Sequence, residues 1–354
     1  MKIELYNHKI TAALTKAAVL LLVLFTNNSI YAQNNERART NIGLVYPLSS
    51  NYTNAPRDTN SFSLNLIGGV SAGEHGFSLA GLTNVVRGDA TGLQLAGFSN
   101  HIGGNANDLM IAGFINTYTT GKGIAVAGFA NIDHDDSGIQ VAGFTNIAHN
   151  NSGIQVAGFL NTGGDEAVLQ VAGFMNVAKK LKGTQVGFIN IADSAGTQVG
   201  IINIAKNNEK SIGVSIDENE TTMLSFRSGG NRFYGIIGIG GNLKNKKEKY
   251  AYEAGLGINI IREKAFSLKT ELITSGLESF KGDEYFKSSS YLMPAFKITP
   301  SIEIFAGPSF NYVDTDNAEG REIVKKYITS WTRNNGNDLY GLYFGYTAGV
   351  QFHF

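Results

Sequence analysis

The chain has 354 residues, enough for one large domain or two ordinary ones, and its formal net charge is zero. That balance gives no global electrostatic attraction to nucleic acid or to an acidic membrane surface, so no nucleic-acid partner is expected. With 43 Gly, 21 Phe, 15 Tyr, five Pro and 16% charged residues the composition points to an ordered all-β protein, and the absence of cysteine excludes disulfides, thiolate metal sites, a cysteine nucleophile and a lipidated cysteine.

Lys2, Lys9 and Lys16 precede the apolar run AAVLLLVLF at 17–25, which leads to SIYAQ. This is the layout of a secretory signal peptide over residues 1–32, with Ala32 before the cleavage point. The run is short for a spanning helix, so export is expected rather than a retained anchor. Residues 33–75 hold two strand-like segments, RTNIGLVYPLSS and SFSLNLIGGVSAG. They are expected to cap the repeat region or to join the C-terminal strands.

Residues 76–207 repeat one line. The asparagine of a Gly-Phe-x-Asn motif recurs at Asn84, Asn100, Asn116, Asn131, Asn146, Asn161, Asn176, Asn190 and Asn203, at spacings that shrink from 16 to 13. A fixed short period means stacked or arrayed units. One arrangement is a β-solenoid of about nine 13–16-residue coils, spaced by about 4.8 Å so that like residues form ladders. The other makes each repeat a strand and turn of one large antiparallel barrel.

Register favours the solenoid. The last two units, GTQVGFINIA and GTQVGIINIA, lack the alanine between Val and Gly. In a straight strand, losing one residue sends every later side chain to the opposite face. At a bend between two short strands the loss is absorbed. Gly-x-Gln-Val is therefore expected as one strand, Ala-Gly as a corner and Phe-x-Asn-Ile as a second strand. The constant Phe98, Phe114, Phe129, Phe144, Phe159, Phe174 and Phe188 are expected as an interior stack, with the variable residue after each pointing outward. The asparagines are expected as an inward or corner amide ladder, since buried amides must be hydrogen-bonded. Gln94, Gln140, Gln155, Gln170, Gln185 and Gln198 form one polar row. It either stabilises the stack or, at Gln140, Gln155 and Gln170, offers candidate contacts to a protein or glycan.

Residues 208–354 alternate apolar and polar positions over spanning lengths, as in YEAGLGINII and FSLKTELIT, which predicts antiparallel strands. The chain ends YTAGVQFHF, with Tyr346, Ala348, Val350, Phe352 and Phe354 on one face. This end resembles the last strand of bacterial outer-membrane barrels, and the resemblance makes Phe354 a barrel-assembly signal. A soluble sheet or sandwich covering the solenoid is the alternative. The longest interruption, 317–338, carries Trp331, the single tryptophan, which is either a candidate contact residue or packed onto its domain.

The tandem Gly-x-Gln-Val-Ala-Gly-Phe-x-Asn units, followed by segments such as FRSGGNRFYGIIGIGGN and FAGPSFNYV, resemble a family of bacterial surface-repeat proteins. The resemblance runs from about Gly76 to Phe354. It implies an exported location at the outer membrane or cell surface of a Gram-negative bacterium, with periplasm or secretion as the alternative. It brings no activity and no site residues.

Chemistry is hard to find. GIIGIGGN at 235–242 has dinucleotide-like glycine spacing, but a strand comes next where that loop needs a helix. DHDDSG at 133–138 holds Asp133, His134, Asp135 and Asp136, yet it occupies one inter-repeat turn and its neighbours do not repeat it, so a solvated turn is expected rather than a metal site. No histidine lies in a recognisable catalytic motif, and KNKKEK at 244–249 reads as a hairpin loop. No catalytic residue, metal or cofactor is expected. The expected function is a non-enzymatic envelope or surface scaffold whose ligand the sequence does not identify, with an outer-membrane pore or transport barrel as the alternative. A carbohydrate-active groove would need acids at matching positions on adjacent coils, and the coil strands carry none.

Overall fold

A computed structural model describes residues 39–244, 249–279, 284–316, 318–334 and 337–354. The signal-peptide segment and most of the KNKKEK loop lie outside them. The chain forms a β-solenoid of about ten turns followed by a closed eight-stranded antiparallel barrel.

Each repeat folds as one coil. Residues Ser137–Ala142 form a strand, Gly143 and Phe144 turn the chain, and Thr145–Ala148 form the second strand. Neighbouring coils pair in parallel with the sequence repeat as register. Asn131 sits opposite Asn146, Asn146 opposite Asn161, Gln140 opposite Gln155, and Gln155 opposite Gln170. Parallel pairing of like residues selects the solenoid for the repeats; among the described residues, antiparallel pairing is confined to the C-terminal domain and one short cap. The missing alanine is absorbed at the corner as expected. Val171 stays opposite Val186 and Met175 opposite Ile189, although three residues lie between Val171 and Met175 and two between Val186 and Ile189.

The corner lies one residue later than expected, at Gly-Phe, and this moves the phenylalanines. The side chains of Phe98, Phe114, Phe129, Phe144, Phe159, Phe174 and Phe188 are 38–48% exposed along an outer edge, not inside. The residue after each is instead buried or half-buried, as at Ser99, Ala130 and Thr145. Gly143 shows why the corner demands glycine. A Cβ there would collide with the Gly128 carbonyl of the coil before, whose corner backbone lies one strand spacing away.

The early strands Thr40–Val45 and Thr59–Ser71 pair in parallel with the array and not with the barrel. Leu48–Ser49 folds back antiparallel on Thr40–Val45 and covers that edge. This is the cap a solenoid end requires.

The barrel strands are Glu209–Asp217, Thr221–Gly229, Phe233–Asn242, Tyr250–Arg262, Phe266–Glu278, Glu284–Thr299, Ile302–Thr315 and Asp338–His353. The first pairs with the last, Gly213 opposite Gln351, and closes the ring. At the end where the solenoid enters, the connections are 230–232, 263–265 and 300–301. The opposite end carries 218–220, 243–249, 279–283 and the long 316–337. The GIIGIGGN segment lies inside the third barrel strand.

Candidate functional surfaces

Five features carry chemistry: two amide ladders, an apolar outer face, a polar edge and the barrel lumen. The ladders fill the solenoid. Each Asn donates through Nδ2 to the Oδ1 of the next, from Asn84 to Asn203, at 2.9–3.0 Å. The second amide hydrogen goes to a backbone carbonyl, as from Asn146 to Val156 at 2.8 Å. Gln155, Gln170, Gln185 and Gln198 likewise each donate to the glutamine before, at 2.7–2.8 Å. These side chains are about as buried as any in the protein; Gln140, Gln155 and Gln170 are 0% exposed. The contact role considered for them is therefore corrected. Along Ser137–Ala142 the side chains of Ser137, Gln140 and Ala142 are buried, and the narrow two-sheet interior leaves room only for amides and small residues.

Where the glutamine column is interrupted by Met110 and Ala125, Tyr118 fills the space. Gln140 begins the upper ladder by donating to the Tyr118 hydroxyl at 2.9 Å and to Asp133 Oδ2 at 3.0 Å. Asp133 is fully buried, and this burial pushes its carboxyl up to about 7. The rest of the DHDDSG cluster serves the turn stack. His134 stacks on His149 at 5.6 Å, Asp135 accepts from the Asn150 amide, and Asp136 accepts from Asn151 N at 3.0 Å.

The outward positions are apolar. Phe98 to Phe174 stack with ring centroids 4.8–5.0 Å apart. The gap widens to 6.1 Å at Phe188, where the alanine is missing. Ile111, Val141, Val156 and Val186 expose a second column beside them. Across the coil the turns hold the charges, with ion pairs from Lys179 to Asp165, Lys180 to Glu166 and Lys206 to Asp193.

The barrel is polar inside and apolar outside. In its lumen Arg227 clasps Glu271 with two hydrogen bonds of 2.9 and 3.1 Å, and the Tyr234 hydroxyl donates to the same carboxylate at 2.7 Å. Lys269 pairs with Glu303, Lys287 with Asp217, and Arg227 lies over the Phe305 ring at 5.4 Å. Two cavities among these groups have volumes of only about 30 and 40 Å³, small enough for no more than a few waters. Outside, Val214, Leu224, Ile237, Leu256, Leu272, Leu292, Ile304 and Val350 are exposed.

Tyr346, Val350, Phe352 and Phe354 are exposed on one face, as the alternation implied. Phe354 N donates to Lys210 O at 3.0 Å and anchors the end of the chain to the first barrel strand. Trp331 lies at the long-loop end, on a short strand that pairs with the last barrel strand, and stacks on Tyr340 at 5.9 Å. It packs on its domain and is also partly exposed. The lumen ion pairs were missed in the sequence, although Arg227, Lys269 and Glu271 place charges on the polar face of alternating strands.

No family model matches the chain, and no curated protein matches it. Among solved structures it is similar to Neisserial surface protein A, with 13% identity and a TM-score of 0.21, over 42% of this chain and 94% of that one.

Proposed function

We propose that this chain is an exported, non-enzymatic outer-membrane protein in which the barrel is the anchor and the solenoid a rigid scaffold. One observation carries the reading: the barrel inverts the soluble pattern, with ion pairs buried in its lumen and an apolar belt outside. A closed barrel satisfies all its backbone groups internally, which a bilayer core demands. Connection lengths support an orientation. Short turns belong on the periplasmic side of such barrels and long loops outside, so the solenoid is assigned to the periplasmic side and the Trp331 loop to the cell exterior.

The pore alternative is disfavoured by the filled lumen. A scaffold role is supported by a solenoid whose interior polar groups are occupied by one another, leaving its outer faces to make contacts. The test is density-gradient separation of cell envelopes. The full chain is expected in the outer-membrane band, and recovery in the soluble periplasm overturns the reading.

A further inference from the structure

The solenoid does not hang free of the barrel; it ends on the barrel wall. Asn203 N donates to Ser228 Oγ at 3.0 Å, and Asn203 Nδ2 donates to the Ser228 carbonyl at 3.2 Å. Arg227 and Gly229 face the lumen, so Ser228 between them faces outward, and it is buried because the last coil covers it. Gly235 is also outward-facing, in register opposite Ser228. A Cβ there would collide with the Gly200 and Ile201 carbonyls. The asparagine ladder runs along the stacking axis, so the coils extend sideways from the outer wall.

The last coil also has a defined roll. Its corner, Gly200 and Ile201, meets the wall at Gly235, inside the third barrel strand, where Ile237 and Ile239 continue the apolar belt. Its opposite edge lies at the rim. Asn208, which donates to Gln198 Oε1 at 2.5 Å, is the neighbour of Gly230 in the rim turn. The belt side of the last coil is thus the side that carries the phenylalanine column in the coils from Phe98 to Phe188. The edge that carries the charges is turned to the rim and the water beyond it.

Charge is segregated along the array. Between Gly76 and Lys206 the Asp, Glu, Lys and Arg residues lie toward the edge opposite the corner, with Asp133 turned inward; within the nine-residue repeat segments only Asp108 is charged, at the glycine position of its unit. Six coil-to-coil steps make the Phe98–Phe188 edge roughly 30 Å long, and with its flanking column a patch of roughly several hundred Å². Its surface is a uniform row of Phe, Val, Ile and Leu with no polar anchor, which suits acyl chains better than a specific protein.

We infer that the solenoid is an arm lying in the membrane surface, with its Phe98–Phe188 edge and flanking Val/Ile column seated in the leaflet around the solenoid end of the barrel. The apolar edge reaches the boundary of headgroups and acyl chains, about 5–10 Å deep as for an amphipathic helix, and the charged turns stay in water. This inference rests on the membrane reading of the barrel.

The chain has no cysteine, so single-cysteine variants can be labelled cleanly with an environment-sensitive fluorophore. Phe129→Cys and Phe159→Cys report the edge, Asn151→Cys the turns and Leu292→Cys the barrel belt. The full mature chain is reconstituted into phosphatidylcholine vesicles with a fraction of lipid carrying a nitroxide near the headgroup. The expected result is at least ~twofold quenching by that lipid at 129, 159 and 292, with 151 quenched by iodide instead. Quenching at 292 but not at 129 and 159 overturns the arm and leaves the barrel standing. Edge labels shielded from both nitroxide lipid and iodide mean that protein or a second copy covers them, which also overturns it. No lipid quenching at 292 removes the barrel reading and the arm together.

Discussion

Asn203 is the last rung of the asparagine ladder, and its side-chain amide donates to the Ser228 carbonyl of the barrel at 3.2 Å. An array of buried amides thus ends on a strand of another domain rather than in solvent. Its rungs are coupled, because each amide is both donor to the next coil and acceptor from the one before. Replacing Asn146 by Ala orphans the Asn131 donor, the Asn161 acceptor and the Val156 carbonyl in one step. The expected cost is about 3 kcal/mol in the urea denaturation of the solenoid, since each unsatisfied buried group costs about 1–3 kcal/mol. Ile147→Ala, on the outer face of the same strand, should cost much less.

The corner glycine is constrained by its neighbour in the coil before. Gly143→Ala drives a methyl group onto the Gly128 carbonyl. Spreading two coils costs about 1–3 kcal/mol, as overpacking does elsewhere. Far-ultraviolet circular dichroism during urea titration should show a lowered midpoint. An unchanged midpoint would mean that the corners open without cost.

Asp133 gives the solenoid a pH dependence. Burial raises its carboxyl to about 7 from a usual value near 3.8, so the folded state binds a proton that the unfolded chain releases earlier. Stability from this group is full below about pH 4, declines as pH rises toward 7 and is level above it. Asp133→Asn keeps an acceptor for the Gln140 amide and should flatten that slope. An identical slope in the variant would place its origin elsewhere.

The lumen should be closed to ions. With Arg227, Glu271, Lys269, Glu303, Lys287 and Asp217 paired across it, planar bilayers containing the protein should carry no steady single-channel current. Glu271→Leu strands Arg227 and removes the Tyr234 acceptor. Breaking a buried pair in this way costs about 3–5 kcal/mol, read as a lowered urea midpoint of the reconstituted barrel. Steady conductance from the unaltered chain would restore the pore.

The period, the coil and the place of the missing alanine were legible because each follows from register. The side on which the phenylalanines lie was not. Constancy suggested burial for Phe129 and Phe144, but in a parallel stack an exposed column gains from identity as much as a buried one, since each ring packs on its copy at 5.0 Å. Alternation gave the better clue, because Gln140 and Ala142 share the buried face once the corner is placed after Ala142. In the barrel, alternation revealed the apolar belt, and Tyr346 to Phe354 lie as it implied. The pairing of Arg227 with Glu271, forty-four positions away, depends on strand tilt and stagger around a closed ring, which no local pattern encodes.

Extraction of membranes with alkaline carbonate and urea, from cells expressing the full chain with a tag in the 317–338 loop, tests the barrel most directly. An integral barrel predicts that the protein stays in the pellet until detergent is added. Release into the wash without detergent would contradict it and leave the apolar exterior without a bilayer to cover it.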